Sequence, residues 1–275
     1  MKKATLILTI FLSIAFTASP QKNMVILHTN DTHSRIEPLP ESDRTAPGKG
    51  GVERRATYID QVRKEHPHVL LFDAGDFLQG TPYFNLFKGK VEVEAMNLMQ
   101  YDAVTLGNHE FDYGLEVLAK VVRAARFPIV SSNYDFSQTP LDGITEPYLI
   151  LKKAGVKIGV IGINIRPAGL ISSANYKGMK FLDPVTTANE LAEQLHTQHK
   201  CDIIICLSHL GYLPDTKLAE STRHIDLILG GHSHTYMKEP EVRRNLDNRE
   251  VMIYQTAGRG SYVGKIEMKL EKRKR

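Results

Sequence analysis

One stretch, Leu106-Gly107-Asn108-His109-Glu110-Phe111-Asp112, constrains the chain more than any other. It sets an amide, an imidazole and a carboxylate within a few positions, directly after the apolar run 103–106. An apolar run that stops at Gly-Asn reads as a buried strand ending in a loop. In an open α/β sheet, ligands collect outside the carboxyl ends of the strands. Four more apolar runs end in similar chemistry. Residues 24–27 lead to Asp31 and His33, and residues 69–72 to Asp76. Residues 203–207 lead to His209, and residues 225–229 to Gly230-Gly231-His232-Ser233-His234.

The segments between these runs have the period of helices. Val52, Ala56, Ile59 and Val62 mark an amphipathic helix over 52–65, which His66-Pro67 stops. Residues 90–100, 115–126 and 184–199 read as three more helices, the last with Pro at its first turn. Further strands are expected at 129–132, at 148–152 and 157–163 around a hairpin-like turn, and at 252–255 and 262–270. Strands alternating with helices argue an α/β fold. The late strand pairs point to a mixed sheet or two packed sheets. A length of 275 residues suits a single large domain.

A formal charge of +4 is too small and too dispersed for nucleic-acid binding. Residues 1–22 read as a secretory signal, with Lys2 and Lys3 ahead of an apolar stretch too short to span a membrane. The expected location is therefore periplasmic or secreted, with no membrane span once the signal is removed. The two cysteines, Cys201 and Cys206, fall in one strand-like run. Five strand steps put their Cα atoms about 16 Å apart, so they are expected as free thiols, with Cys206 buried.

The donors at the five strand ends are Asp31, His33, Asp76, Asn108, His109, His209, His232 and His234. Asp31 and His33 stand two apart, as do His232 and His234, so on extended backbone each pair shares a face. Seven or eight nitrogen and oxygen donors exceed the needs of one ion. They suit two divalent ions about 3.5–4 Å apart that share a carboxylate, for which Asp76 is the natural bridge. Taken singly, each residue has an ordinary structural reading. An Asp after a strand is commonly a cap or turn residue, and a lone His is commonly a satisfied core group. His28, His66, His68, His196, His199 and His224 keep that reading. Glu110 is expected to cap or face solvent, and Asn30 and Asp73 to support the turns around the ligands. The ordinary reading fails for the set, because it requires five strand ends to carry donors by coincidence.

On these segments the sequence resembles the calcineurin-like metallophosphoesterases, and within them the secreted 5′-nucleotidases. The resemblance rests on His28-Thr29-Asn30-Asp31-Thr32-His33, Gly75-Asp76, the 107–112 run, His209 and the 230–234 run, which come in the family's order. It implies a four-layer sandwich, two mixed β-sheets packed together and flanked by helices. One metal would be held by Asp31, His33, Asp76 and His234, the other by Asp76, Asn108, His209 and His232. Many members carry Gln where His234 stands. Imidazole and carboxylate ligation fits Zn, Mn or Fe without choosing among them. His109, oriented by Asp112, is implied as the group that steadies the transition state and helps the leaving oxygen. The competing expectation for Asp112 is a cap on the helix that follows.

The function expected from the resemblance is a dinuclear-metal phosphoric-ester hydrolase of the 5′-nucleotidase type, which releases phosphate from a small substrate, a nucleotide. Full-length relatives add a second domain that binds the nucleoside. The sequence reads as residues 23–275 of the catalytic domain alone, with a separately encoded substrate-binding partner as one way to complete it. Two other functions stay open. One is a phosphodiesterase for 2′,3′-cyclic nucleotides or nucleotide sugars, or a sulfur-ester hydrolase on the same scaffold. The other is a metal-bearing binding subunit, against which the His109–Asp112 pair weighs.

Overall fold

The computed structural model describes residues 22–270. Residues 1–21 of the segment read as a secretory signal lie outside the described residues. Twelve strands and six α-helices follow one another in the described chain. The strands are β1 (Lys22–Thr29), β2 (Val69–Asp73), β3 (Ala103–Val104), β4 (Tyr134–Asp135), β5 (Tyr148–Lys153), β6 (Val156–Asn164), β7 (Lys180–Phe181), β8 (Ile203–His209), β9 (Leu227–Gly230), β10 (Glu241–Arg244), β11 (Glu250–Tyr254) and β12 (Gly264–Leu270). The helices are α1 (Val52–Glu65), α2 (Pro82–Phe87), α3 (Lys90–Met99), α4 (Gly114–Ala124), α5 (Pro184–Thr197) and α6 (Tyr212–Ser221).

Two mixed sheets dominate, with orders β12-β1-β2-β3 and β10-β11-β9-β8-β6-β5. The strand period of two divides their side chains between separate cores. Met24 and Ile26 of β1, Leu70 and Phe72 of β2, Ile158 and Val160 of β6 and Ile205 and Leu207 of β8 share one cluster, so the sheets pack face to face. The alternate residues point outward. Val25, Leu27 and Leu71 meet α1, α3 and α4 in a second cluster. Ile161, Ile163, Ile204 and Cys206 meet α5 and α6 in a third. The result is the expected four-layer arrangement of helices, two sheets and helices. Truncating Ile205 or Leu207 would open a cavity between the sheets and cost about 2–5 kcal/mol.

Residues 129–132 do not form a strand of either sheet. Ile129 and Val130 make only isolated bridges, to Val104 and Glu146. The Val130 carbonyl is taken by the Thr105 hydroxyl, and Ser131 and Ser132 bond to Asn164 and the Pro147 carbonyl. Val130 crosses so close to β6 that a Cβ at Gly162 would lie 2.0 Å from its carbonyl oxygen. Cys201 sits just before β8 rather than within it, and both cysteines are free and buried.

Parallel pairing sets the polarity that matters for the site. β1, β2 and β3 run parallel in one sheet, and β6, β8 and β9 in the other. Their carboxyl ends meet along one edge of the sandwich.

Candidate metal centre

Each candidate donor sits at or just beyond one of those ends. Asp31 and His33 follow β1, Asp76 follows β2, Asn108 follows β3, His209 closes β8, and His232 and His234 follow β9. Five of the seven expected ligands adopt left-handed backbone without being glycine: Asp31, His33, Asp76, His232 and His234, with φ between 48° and 70°. Such a conformation costs on the order of 1 kcal/mol per residue and persists where the surrounding contacts impose it. The strain turns side chains from separate loops toward one point.

Two groups result, Asp31–His33–His234 and Asp76–His209–His232, each with ligand atoms within 4.8 Å of one another. In the first, His234 Nε2 lies 3.2 Å from Asp31 Oδ1 and 3.0 Å from His33 Nε2. In the second, His209 Nε2 lies 3.1 Å from Asp76 Oδ2. Asn108 Oδ1 is 3.0 Å from His232 Nδ1, which brings it to the second group. The groups adjoin, since His209 Nε2 is 3.9 Å from Asp31 Oδ1. Gly107 makes this closeness possible, because a Cβ there would stand 2.2 Å from Asp76 Oδ1 and 2.6 Å from His209 Nε2.

Second contacts fix the donors. The Asp31 carboxylate accepts from the His232 backbone N–H at 2.9 Å, which joins the two sheets at the site. Asn30 donates to Asp31 Oδ2 and to the Ala257 carbonyl and accepts from Thr256, the supporting role expected of it. His209 Nδ1 donates to the Ala74 carbonyl at 2.7 Å, which leaves Nε2 as the nitrogen that faces the site. That Nε2 is buried without a hydrogen-bond partner.

The electrostatics call for positive charge. Burial works against a charged His209, yet the carboxylates of Asp76 and then Asp31 lift it to about 10. Burial likewise opposes ionisation of Asp76, and the imidazoles of His209, His33 and His109 outweigh it, holding the carboxyl well below the usual range. Burial lowers His33 and His232, which favours the neutral imidazoles that ligate metals. Two buried carboxylates, a buried imidazole nitrogen without a partner and strained loops fit a pair of cations.

His109 belongs to neither group. Its Nδ1 lies 2.9 Å from Asp112 Oδ2, across the short 3₁₀ turn His109–Phe111. The bond to Asp112 raises its pKa, against a smaller lowering by burial. Its ring lies edge-on to His33, with centroids 5.4 Å apart. The competing expectation for Asp112 fails, because α4 begins after Tyr113 with no side-chain cap.

The remaining histidines stay apart from these groups. His28 is buried, and burial holds its pKa down to about 4, so it is a neutral core group. His196 and His224 stack 4.2 Å apart on another face, and His199 meets the Tyr148 hydroxyl. Asp73 accepts from the Thr29 hydroxyl and the Gly75 N–H, which supports its turn as expected.

Glu110 corrects the sequence reading. It neither caps nor faces solvent. It is buried, and its carboxylate accepts from the backbone N–H groups of Asp76 at 2.9 Å, Leu78 at 3.0 Å and Gly107 at 2.5 Å. Burial first, and then the Asp76 charge, push its pKa up to about 8. Gln255 is a second supporting residue, and no local pattern marks it in the sequence. Its amide donates to the Gly231 carbonyl and accepts from the Thr235 N–H, holding the loop that carries His232 and His234.

The fold and this site define a class first: α/β sandwiches that gather two adjacent sets of metal donors where parallel strands of two sheets end. The calcineurin-like phosphoesterase family model matches residues 24–236, and the chain belongs to that family. Members use a dinuclear metal centre, and the two donor groups are the candidates to hold one here. The chain is 34% identical over 278 residues to a snake venom 5′-nucleotidase from Crotalus adamanteus, a match covering 94% of this chain and 47% of that protein. It is 32% identical to a 5′-nucleotidase from Homo sapiens, covering 98% of this chain and 50% of that one. The crystal structure of a 5′-nucleotidase precursor from Thermus thermophilus superposes with a TM-score of 0.83 at 34% identity, over 90% of this chain and 52% of that one. The chain thus spans about half the length of the relatives it matches.

Proposed function

We propose that the protein is a metal-dependent phosphoric-ester hydrolase of the 5′-nucleotidase type, which releases phosphate from nucleotides. One observation carries the reading: two adjacent donor groups stand beside a histidine–carboxylate pair that neither group uses. Asp31, His33 and His234 would hold one ion, Asp76, Asn108, His209 and His232 the other, with Asp76 between them. Two divalent ions bound there supply Lewis acidity and activate water for attack on phosphorus.

The chain's own residues do the rest. Asp31 and Asp76 set the charge of the centre, and His209 is locked in one tautomer by the Ala74 carbonyl. Asp112 orients His109 and keeps it protonated to a higher pH. His109 is therefore placed to donate to a phosphoryl oxygen or to the leaving oxygen as the ester bond breaks. A metal-bearing subunit that only binds would have no use for such a pair. The names of the relatives support a nucleotide substrate. The basic start and apolar stretch of residues 1–22 support export to the periplasm or the exterior, and among the described residues no helix is long and apolar enough to cross a membrane.

The test is phosphate release from AMP, a 2′,3′-cyclic nucleotide and p-nitrophenyl phosphate with Mn or Zn added, run with and without a candidate second-domain protein. Metal-dependent release from AMP is expected. Hydrolysis of the cyclic diester alone would reassign the enzyme as a phosphodiesterase, and no release under any condition would contradict the reading.

A further inference from the structure

Behind the second donor group lies a buried carboxyl that the proposed chemistry does not use. Asp215, in the first turn of α6, is fully buried. Its Oδ1 accepts from the Ser208 hydroxyl at 2.5 Å, while Oδ2 is buried without a hydrogen-bond partner. An oxygen placed so forgoes the bonds that water would give it, and its position needs a reason. The dipole of α6 favours an acid in the first turn, but does not require one turned inward onto β8.

The strand ends beside it supply the reason. Ser208 and Gly230 form a rung between β8 and β9, and the Asp215 carboxyl meets both. A Cβ at Gly230 would lie 2.4 Å from Asp215 Oδ2. Each member of the rung leads to a ligand, since His209 follows Ser208 directly and His232 follows Gly230 after one further glycine. The Ser208 hydroxyl also accepts from the Leu210 N–H at 3.3 Å, so it spans both neighbours of His209. On the opposite face, a Cβ at Gly231 would lie 2.8 Å from His209 Nδ1 and 2.9 Å from the Ala74 carbonyl oxygen. Neither glycine adopts left-handed backbone, so close contact rather than conformation requires them. The pair runs between the Asp215 carboxyl and the His209 imidazole. Beyond it the His209 and His232 rings stand edge-on, with centroids 5.3 Å apart.

We infer that Asp215 is a positioning residue for the ion at Asp76, Asn108, His209 and His232, bearing on the Ser208–Gly230 rung and so fixing the separation of the two imidazoles. The inference rests on the two-ion reading above. Asp215 belongs to neither donor group and acts through the backbone that carries the ligands.

Competition of the Mn-loaded protein against a graded series of chelators tests it without reference to hydrolysis, with His234→Ala marking the affinity of the exposed position. Ser208→Ala removes one hydroxyl and should weaken the other position by about 10–100-fold, the scale for groups that support ligands, while the exposed position changes little. Asp215→Ala should show at least that loss. Asp215→Asn, which keeps an oxygen for the Ser208 hydroxyl, should recover most of the affinity. Should Asp215→Ala fold poorly, Ser208→Ala still decides the question. Two ions in the wild type with unchanged affinities in Ser208→Ala would overturn this inference alone, as would equal weakening at both positions. Fewer than two ions in the wild type would overturn the two-ion reading together with it.

Discussion

The two donor groups share a purpose and differ in setting. His209 and Asp76 have almost no exposed side-chain surface, whereas 45% of the His234 side chain faces solvent. In the second group Ala74 fixes His209 and Glu110 grips the turns that carry Asp76 and Asn108, while His232 stays half-buried. All three residues of the first group are in left-handed backbone, against Asp76 and His232 in the second, and Asp31 clasps them. The second half is therefore the more enclosed, and the first opens to solvent at His234. Such a division suits a centre in which one ion is retained while substrate and solvent reach the other.

The largest effect should come from the residue assigned to both halves. Asp76→Ala is expected to empty both positions in elemental analysis and to lower hydrolysis by about 10³-fold or more, since removing even one preorganised charge-stabilising group costs about 10²–10³. Retention of one full equivalent of metal would show that Asp76 does not bridge. His109→Ala should keep both ions and lose about 10²-fold in turnover, the usual scale for acid–base groups. Metal loss in that variant would move His109 into the ligand set.

Glu110→Gln sharpens the contrast itself. It replaces one acceptor oxygen with an amide that faces a backbone N–H, so metal affinity at the buried group should fall about 10–100-fold, the scale for groups that support ligands. The exposed group should change little; equal weakening of both would mean that Glu110 supports the fold rather than the second group. In chelator competition the wild type should release its ions in two phases, the first at least about tenfold faster, as the difference in enclosure implies. His234→Ala should abolish the fast phase, and a single phase in the wild type would erase the asymmetry.

The smallest effect concerns the floor beneath the first group. Burial, opposed by the Thr29 hydroxyl and the Gly75 N–H, pushes Asp73 up to about 7. The folded chain then holds this proton more tightly than the unfolded chain, so stability falls as pH rises from near 4 to near 7. Asp73→Asn should flatten that slope in urea midpoints measured across the window. An unchanged slope would place the titration elsewhere.

Much of the fold and site is legible in the sequence because the chemistry sits where short apolar runs end. The runs that form β1, β2, β3, β8 and β9 are continuous and buried, and each stops at a donor. The helices α1, α3, α4 and α5 repeat apolar residues at helical spacing. Other elements carry no such pattern. α2 has six residues and leaves Leu86 and Phe87 exposed, and α6 combines Pro214 with a mostly polar face. β10 is Glu-Val-Arg-Arg, an edge strand with alternate residues in solvent. Glu110 escapes sequence reading for a different reason. Its partners Asp76 and Leu78 lie more than thirty positions away, and nothing local distinguishes a carboxylate that caps from one that ties two turns together. Arg55 shares the buried face of α1 with Ile59 and Val62, a position that the charge of its side chain does not announce.

Anomalous scattering from crystals of the metal-loaded protein tests the central claim most directly. The account predicts two peaks about 3.5–4 Å apart, one beside Asp31, His33 and His234 and the other beside His209, His232 and Asn108, with Asp76 between them. A single peak, or a second one away from Asp76, would contradict it.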